Sequence, residues 1–244
     1  MNRSLVISFL LIGLLNSYLC VIQGIIDPAY FDPGPYWTTL ENSTPQLAIA
    51  VANVDNGPGT SPDASYVTTL NTFKRAGGIV LGYVYTSQGT RSSSAVQKDI
   101  NNWVSFYTVS GVFFDEAPDT CLHQSYYQDL YNYVHNNINN ATVIINPGTQ
   151  VPQCLSGTAD IICNFESSYN DYINNYENST WSAPATKFYH IVYAVPSAND
   201  LSNLATLSIA RNAAWIFYTT DTLPNPYDTL PASSFWNTEL GLVE

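Results

Sequence analysis

Eight short apolar runs, each followed by a more polar stretch, decide most of what this chain can become. They lie at Ile25–Tyr30, Leu47–Val51, Ile79–Val84, Gly111–Phe114, Thr142–Asn146, Ile161–Phe165, Phe188–Tyr193 and Ala214–Tyr218. Val143-Ile144-Ile145 and Ile79-Val80-Leu81 are continuous rather than alternating, as strands covered on both faces require. Between the runs, Asp63–Ala76 carries Tyr66, Val67, Leu70 and Phe73 on one helical face and stops at Gly77-Gly78. Ser94–Tyr107, Cys121–Asn139 and Asn199–Asn212 show the same spacing, and shorter helices are expected after the first, fifth and sixth strands. Strands alternating with helices form parallel βαβ units. Eight such units in about 220 residues predict an α/β fold, a single-domain (β/α)8 TIM-type barrel. The rival open doubly wound sheet lacks its Gly-x-Gly-x-x-Gly turn after the first strand.

The barrel is expected over residues 25–244, behind a signal peptide at residues 1–24. Arg3 supplies a cationic start, and Leu5–Leu15 is an apolar run shorter than the roughly 20 residues of a membrane span. The mature chain is thus read as secreted, extracellular or at a cell surface or wall, without a membrane span and monomeric. Asn42, Asn140 and Asn178 each open an Asn-x-Ser/Thr sequon and are candidate glycan sites. Beyond Cys20 in the leader, three cysteines remain. Cys163 sits in an apolar strand and reads as a buried thiol. Cys121 and Cys154 lie in loops after strands and are the preferred disulfide, with Cys154–Cys163 as the alternative.

Only 11% of residues are charged, and the formal net charge is −12. A surface built from Asn, Ser, Thr and Tyr with so little positive charge repels phosphate backbones and excludes nucleic acid as a partner. Neutral or cationic polymers suit it. There is no Gly-x-Ser-x-Gly elbow or His-Glu-x-x-His helix, and His123, His135 and His190 are scattered, so neither a serine nucleophile, a metal nor a cofactor is expected.

In a barrel of this kind the chemistry sits where the strands end. Polar and aromatic residues recur there: Tyr30, Asn53, Tyr83, Tyr85, Asn146, Tyr193 and Tyr218, all read as substrate-binding candidates. The sharpest signal is Gly111-Val-Phe-Phe-Asp115-Glu116, an apolar strand running into two carboxyls. Alternation lets only one of them face the barrel axis, and Asp115 is favoured. Asn164-Phe165-Glu166 supplies a third acid two strands on. Carboxyls converging from different strands are what glycoside hydrolysis needs, one holding a proton and one ionised. Asp115, Glu166 and Glu116 are therefore the catalytic candidates. The competing reading makes these acids helix caps or ligands of loop amides.

Several motifs together resemble the spherulin-4 family, named for a protein of slime-mould encystment (spherulation). They are Pro28-Ala-Tyr-Phe with Trp37, Ala50-Val-Ala-Asn53 leading into Asn56-Gly-Pro-Gly59, Val80-Leu-Gly-Tyr83-Val-Tyr-Thr86, Gly111 to Glu116, Asn146-Pro-Gly148-Thr, and Ala159 to Glu166. The resemblance spans roughly residues 26–220, nearly all of the mature chain. It implies a barrel related to the endo-α-1,4-polygalactosaminidase group, with the catalytic pair falling on Asp115 and Glu166 and a galactosamine-containing wall or extracellular polysaccharide as substrate. It equally admits a non-catalytic coat or wall protein that binds glycans. Other members carry Asn-Pro where this chain has Asn53-Val54, which alters the loop after the second strand.

Overall fold

The computed structural model describes residues 24–243; the leader expected over residues 1–24 lies outside them except for Gly24. The eight strands are β1 Gly24–Asp27, β2 Leu47–Ala52, β3 Ile79–Tyr85, β4 Gly111–Asp115, β5 Thr142–Ile145, β6 Ile161–Ser168, β7 Phe188–Tyr193 and β8 Trp215–Tyr218. They are parallel and close in sequence order, with β8 pairing back onto β1 through Gly24–Trp215 and Ile25–Ile216. Every expected strand is present, and the closed order removes the open-sheet alternative.

Among the described residues seven α-helices wrap the barrel: α1 Pro35–Asn42, α2 Ala64–Arg75, α3 Ser93–Tyr107, α4 Gln124–Asn137, α5 Tyr169–Asn174, α6 Leu201–Ala210 and α7 Ser233–Leu240. Their starts follow local chemistry. Asp63 accepts from the Ser65 and Tyr66 amides to cap α2, and Ser92 accepts from Ala95 to cap α3. The apolar stripes face inward: Tyr66, Leu70 and Phe73 of α2, and Val96, Ile100 and Trp103 of α3, are buried against the strands. Trp103 also sets the end of β3. Its indole N–H donates to the Tyr83 carbonyl at 2.8 Å, and a Cβ on Gly82 would stand 2.5 Å from its ring, so only glycine lets the indole lie this close.

Three departures from the sequence reading have plain causes. β1 stops at Asp27 rather than Tyr30, because Pro28 has no N–H to give the ladder. β6 runs on to Ser168 through a bulge between Cys163 and Phe165, which leaves Asn164 without a register partner. Helix α7 was not expected; its Trp236 indole donates to Ser43 at 2.8 Å and ties the C-terminal helix to the turn after α1.

Cys121 and Cys154 are joined, with their Cα atoms 5.9 Å apart, and Cys163 is a buried free thiol. The bridge links the loop after β4 to the loop after β5 and so clamps two connections at the face where the strands end. Its ends are 33 residues apart in sequence. Loop closure over that length favours the folded state by about 3–4 kcal/mol. Replacing both cysteines by serine should lower the urea-unfolding free energy by that amount; a loss under about 1 kcal/mol would mean the crosslink constrains little.

Candidate active site

The ends of β3, β4, β5 and β6 bring one constellation together. Asp115 ends β4, and Tyr83 on β3 donates its hydroxyl to Asp115 Oδ2 at 2.9 Å. Asn146, just past β5, is almost fully buried. Its Nδ2 donates both to Asp115 Oδ1 at 2.9 Å and to Glu166 Oε2 at 2.6 Å. The other Glu166 oxygen, Oε1, accepts from the hydroxyl of Tyr227. Tyr30 lies edge-on to both phenols, 5.2 Å from the Tyr83 ring and 5.7 Å from that of Tyr227.

Backbone contacts explain why these atoms meet. The Asn146 amide donates to Phe114 and its carbonyl accepts from Ala117, so its backbone continues the β4–β5 ladder. Gly148 donates to Cys163 and accepts from the Glu166 amide, pinning the Asn146-Pro147-Gly148 turn to β6. Gly148 has φ of 66°, the left-handed region that glycine adopts without strain. On the other side, Thr86 donates through its amide and its hydroxyl to the Asp115 carbonyl. Gln88 donates to the Glu116 carbonyl, and Glu116 is held at φ of 52°. That left-handed kink ends the strand and turns the Glu116 side chain out to solvent.

The electrostatics follow from burial. Asp115 is pushed above the usual carboxylate range by burial, partly offset by hydrogen bonds from the Glu116 amide, Tyr83 and Asn146. Glu166 is raised by burial first and then by the charge of Asp115, against the donors Tyr227 and Asn146. Two close carboxyls in a poorly solvated site hold a proton between them. Burial and then the neighbouring acids push the Tyr83 and Tyr227 phenols well above their ordinary range, so both remain donors.

The remaining sequence candidates stand apart from the pair. Tyr218 is a correction. It is fully buried facing the helix layer, where its hydroxyl meets Ser208 of α6, while its neighbour Phe217 packs 6.2 Å from Tyr227. A strand end contributes to the mouth only when its parity points inward. Asn53 spends its side-chain oxygen on the Gly57 amide at 2.9 Å, shaping the turn after β2. Tyr85 carries the Arg91 guanidinium 4.0 Å from its ring centre and lines a neighbouring cavity of about 210 Å³ with Asp55 and Asp99. Tyr193 ends β7 beside Ser168 and forms no hydrogen bond with either carboxyl among the described residues. His190 is buried and held neutral, its pKa pushed down to about 3 by burial and then by Arg211, and it pairs with Tyr172 outside the pair's shell. Asn42, Asn140 and Asn178 are all exposed, in segments that run from a helix to the next strand and hence on the face opposite the carboxyls.

Two polar residues escaped the sequence reading. Tyr227 belongs to the long segment between β8 and α7, where no periodicity marks it. Asp27 closes β1, is completely buried, and has neither carboxyl oxygen hydrogen-bonded among the described residues.

With this geometry in place, comparison with known proteins is direct. The sequence pattern of Spherulation-specific family 4 matches residues 24–243. The chain belongs to that family. Spherulin-4 of Physarum polycephalum is 32% identical over 209 residues, which cover 81% of this chain but 63% of that relative, so the chain spans less than two thirds of its length. Sph3 of Aspergillus clavatus, solved in complex with GalNAc, superposes with a TM-score of 0.78 at 23% identity over 92% of this chain and 99% of its own. A chitinase of Rhizomucor miehei gives 0.55 at 12% identity over 90% and 100%. A xylanase and α-amylase inhibitor protein of Scadoxus multiflorus gives 0.53 at 13% over 90% and 98%. A chitinase and an inhibitor thus share this barrel fold, and function must be argued from the side chains.

Tyr227 supplies the first test of the assembled site. Tyr227→Phe keeps the ring against Tyr30 and Phe217 and removes only the donor to Glu166. Since that hydrogen bond lowers the Glu166 pKa, its loss should raise the pH at which Glu166 ionises, read by NMR titration of its carboxyl carbon. An unmoved titration would show that the phenol only packs.

Proposed function

We propose that this protein is a secreted glycoside hydrolase that cuts a cell-wall or extracellular polysaccharide within its chain, by a two-carboxylate mechanism with retained anomeric configuration. One observation carries the reading. The facing oxygens of Asp115 and Glu166 share the Asn146 nitrogen at 2.9 and 2.6 Å, so this nearest pair stands at most about 5.5 Å apart, which favours the shorter carboxyl spacing. Retaining glycosidases hold their carboxyls about 5–5.5 Å apart, whereas inverting ones need about 6.5–9.5 Å to admit a water. A pair that served only to cap helices would have no reason to converge from β4 and β6 on one amide.

The roles follow from the surroundings. Asp115 accepts from Tyr83, Asn146 and the Glu116 amide and ionises first; Glu166, raised further by that charge, keeps the proton. An Asp115 oxygen attacks the anomeric carbon as the Glu166 proton passes to the leaving glycosidic oxygen. Glu166, now ionised, takes a proton from the water that displaces Asp115, and the second inversion restores the starting configuration. Tyr30 and Tyr83 offer aromatic faces beside the reacting centre. Cavities of about 210 Å³ beyond Tyr85 and about 370 Å³ beyond Glu166 flank the pair, leaving room for a polymer to pass on both sides. Glycans on the three sequons would stand on the far face and leave this one clear. The GalNAc bound by the Aspergillus clavatus relative favours a galactosamine-containing polymer as the substrate.

The test is a panel of amino-sugar and neutral polysaccharides scored for new reducing ends, with NMR identifying the anomer first released. Internal cleavage with retention is expected. Absence of cleavage with measurable binding would instead make the barrel a non-catalytic glycan-binding wall protein, and an inverted product would remove Asp115 as nucleophile.

A further inference from the structure

The face opposite the carboxyls holds a cavity of about 310 Å³, within the range of small-molecule pockets. It lies between the connection from α5 to β7 and the turn from α6 to β8, and the exposed sequon residue Asn178 is part of its lining. Its apolar side is made by half-buried Trp181 and by Phe188, whose ring centres are 5.3 Å apart. Hydrogen bonds fix these walls. Ser179 gives its hydroxyl to the Trp181 carbonyl at 3.0 Å, a tight turn that brings the indole onto the same cavity as Asn178. The Trp181 indole N–H donates to the Val151 carbonyl at 2.7 Å, and Asn212 donates to the Ala183 carbonyl at 2.9 Å, joining the two connections. Arg211 supplies the polar side. Its guanidinium lies 4.2 Å from the ring centres of both Tyr172 and Tyr176 and gives Nη1 to the Tyr172 carbonyl. A guanidinium is a planar fork of several N–H donors, so others remain for an oxygen brought into the cavity.

We infer that Asn178 carries an N-linked glycan whose first N-acetylglucosamine folds back into this cavity, its apolar C–H face on the Trp181 ring and its acetyl oxygen on Arg211. In the attachment, the Asn178 side-chain nitrogen bonds to the anomeric carbon of a lipid diphosphate-linked oligosaccharide. The bond from that carbon to the diphosphate oxygen breaks, the lipid diphosphate leaves with the electron pair, and the nitrogen releases one proton. Once attached, the sugar is tethered beside the indole at high effective concentration, so docking costs little freedom and the apolar surface it covers stabilises the fold. The inference rests on the reading of the chain as secreted, because only chains entering the secretory path meet that donor.

The experiment uses the full chain expressed in a eukaryotic host. Mass spectrometry of the secreted protein should find the glycan on Asn178. Trimming it to its first sugar with an endoglycosidase should leave the thermal midpoint within about 1 °C, whereas Thr180→Ala, which prevents attachment, should lower it by about 2–4 °C. The same substitution in protein made in the bacterial periplasm, where no such glycan is added, should shift the midpoint by less than about 1 °C, which separates the sugar from the threonine. In the trimmed protein, NMR should show nuclear Overhauser contacts between protons of the remaining sugar on Asn178 and those of the Trp181 indole. A midpoint indifferent to Thr180→Ala, an equal shift in the unglycosylated protein, or absence of the sugar–indole contacts overturns the docking. A secreted protein with Asn178 bare overturns the inference and leaves the hydrolase reading intact; a chain that stays in the cell without any glycan removes secretion and the inference together.

Discussion

Glu166→Gln should lower kcat on a polymer substrate by about 10²- to 10⁴-fold, the range for loss of a general acid. Asp115→Asn should cost at least as much, because no covalent intermediate can then form. The two losses have different signatures. A sugar with a leaving group that departs without protonation, such as a fluoride, needs no acid in the first step, so Glu166→Gln should recover much of its rate on that substrate. Asp115→Asn should recover none. Neither change should damage the fold. Both side chains sit at the mouth, amides replace them nearly isosterically, and removing one of two close buried acids relieves repulsion. Thermal midpoints at neutral pH should equal or exceed that of the wild type, since sites tuned for chemistry carry such strain at the expense of stability. Full polymer activity in Glu166→Gln would remove the assignment. Activity lost together with a midpoint several degrees lower would mean that Glu166 holds the structure rather than the chemistry.

What could be read from the sequence was governed by how locally each feature is encoded. The barrel was legible because each strand announces itself in a short apolar run, as in Ile79-Val80-Leu81, and because strict alternation with helices permits few topologies. Asp115 and Glu166 were legible because each ends an apolar strand, so the strand itself points them at the rim. Their supporting groups were legible only in part. Tyr30, Tyr83 and Asn146 come from strand ends and were anticipated, but the double hydrogen bond of Asn146 depends on the turn that Gly148 pins to β6. Tyr227 lies in a segment with no period, and only the folded chain shows its carbonyl receiving the Tyr30 amide at 3.1 Å and its hydroxyl on Glu166. Its one available signal was position: a tyrosine in the last connection after β8, on the face where such barrels keep their function. Tyr218 was misplaced because proximity to a strand end was weighed without its parity. Asp27 was hidden because the first strand was read as running through Pro28 to Tyr30, which made an acid at its true end look like a residue within it.

Asp27 leads to the largest expected effect outside the site. Burial raises its pKa to about 8, and Glu239 of α7, also fully buried, is raised well above its ordinary range by burial and further by the charge of Asp27. Glu239 accepts the Tyr218 amide through Oε1, while its Oε2 and both oxygens of Asp27 find no partner among the described residues. These acids are tolerated in the barrel wall only when protonated. The consequence for stability has a definite sign. In the unfolded chain an aspartate ionises near pH 4; in the folded one Asp27 keeps its proton up to about pH 8. Between those values the unfolded state is the one that releases a proton, so stability falls as pH rises and levels off above the folded pKa. For Asp27 alone the fall is on the order of 5 kcal/mol across the window, equivalent to roughly 10 to 20 °C in thermal midpoint for a chain of this size. Asp63 and Asp171, whose pKa values are lowered, act in the opposite sense but only below about pH 4, outside the window. His190, whose pKa is pushed down to about 3, also acts in the opposite sense, adding stability as pH rises to about 6.5 and nothing beyond. Above about pH 6.5 that offset ends, and the wild type should lose stability from there toward pH 8. Asp27→Asn, which cannot ionise, should flatten that slope and raise the midpoint at pH 8 while changing little at pH 4.5. Calorimetric scans at half-unit steps decide it: a midpoint that climbs from pH 6.5 to 8, or a slope there that Asp27→Asn leaves intact, would mean that Asp27 is already ionised in the folded barrel and has a partner there.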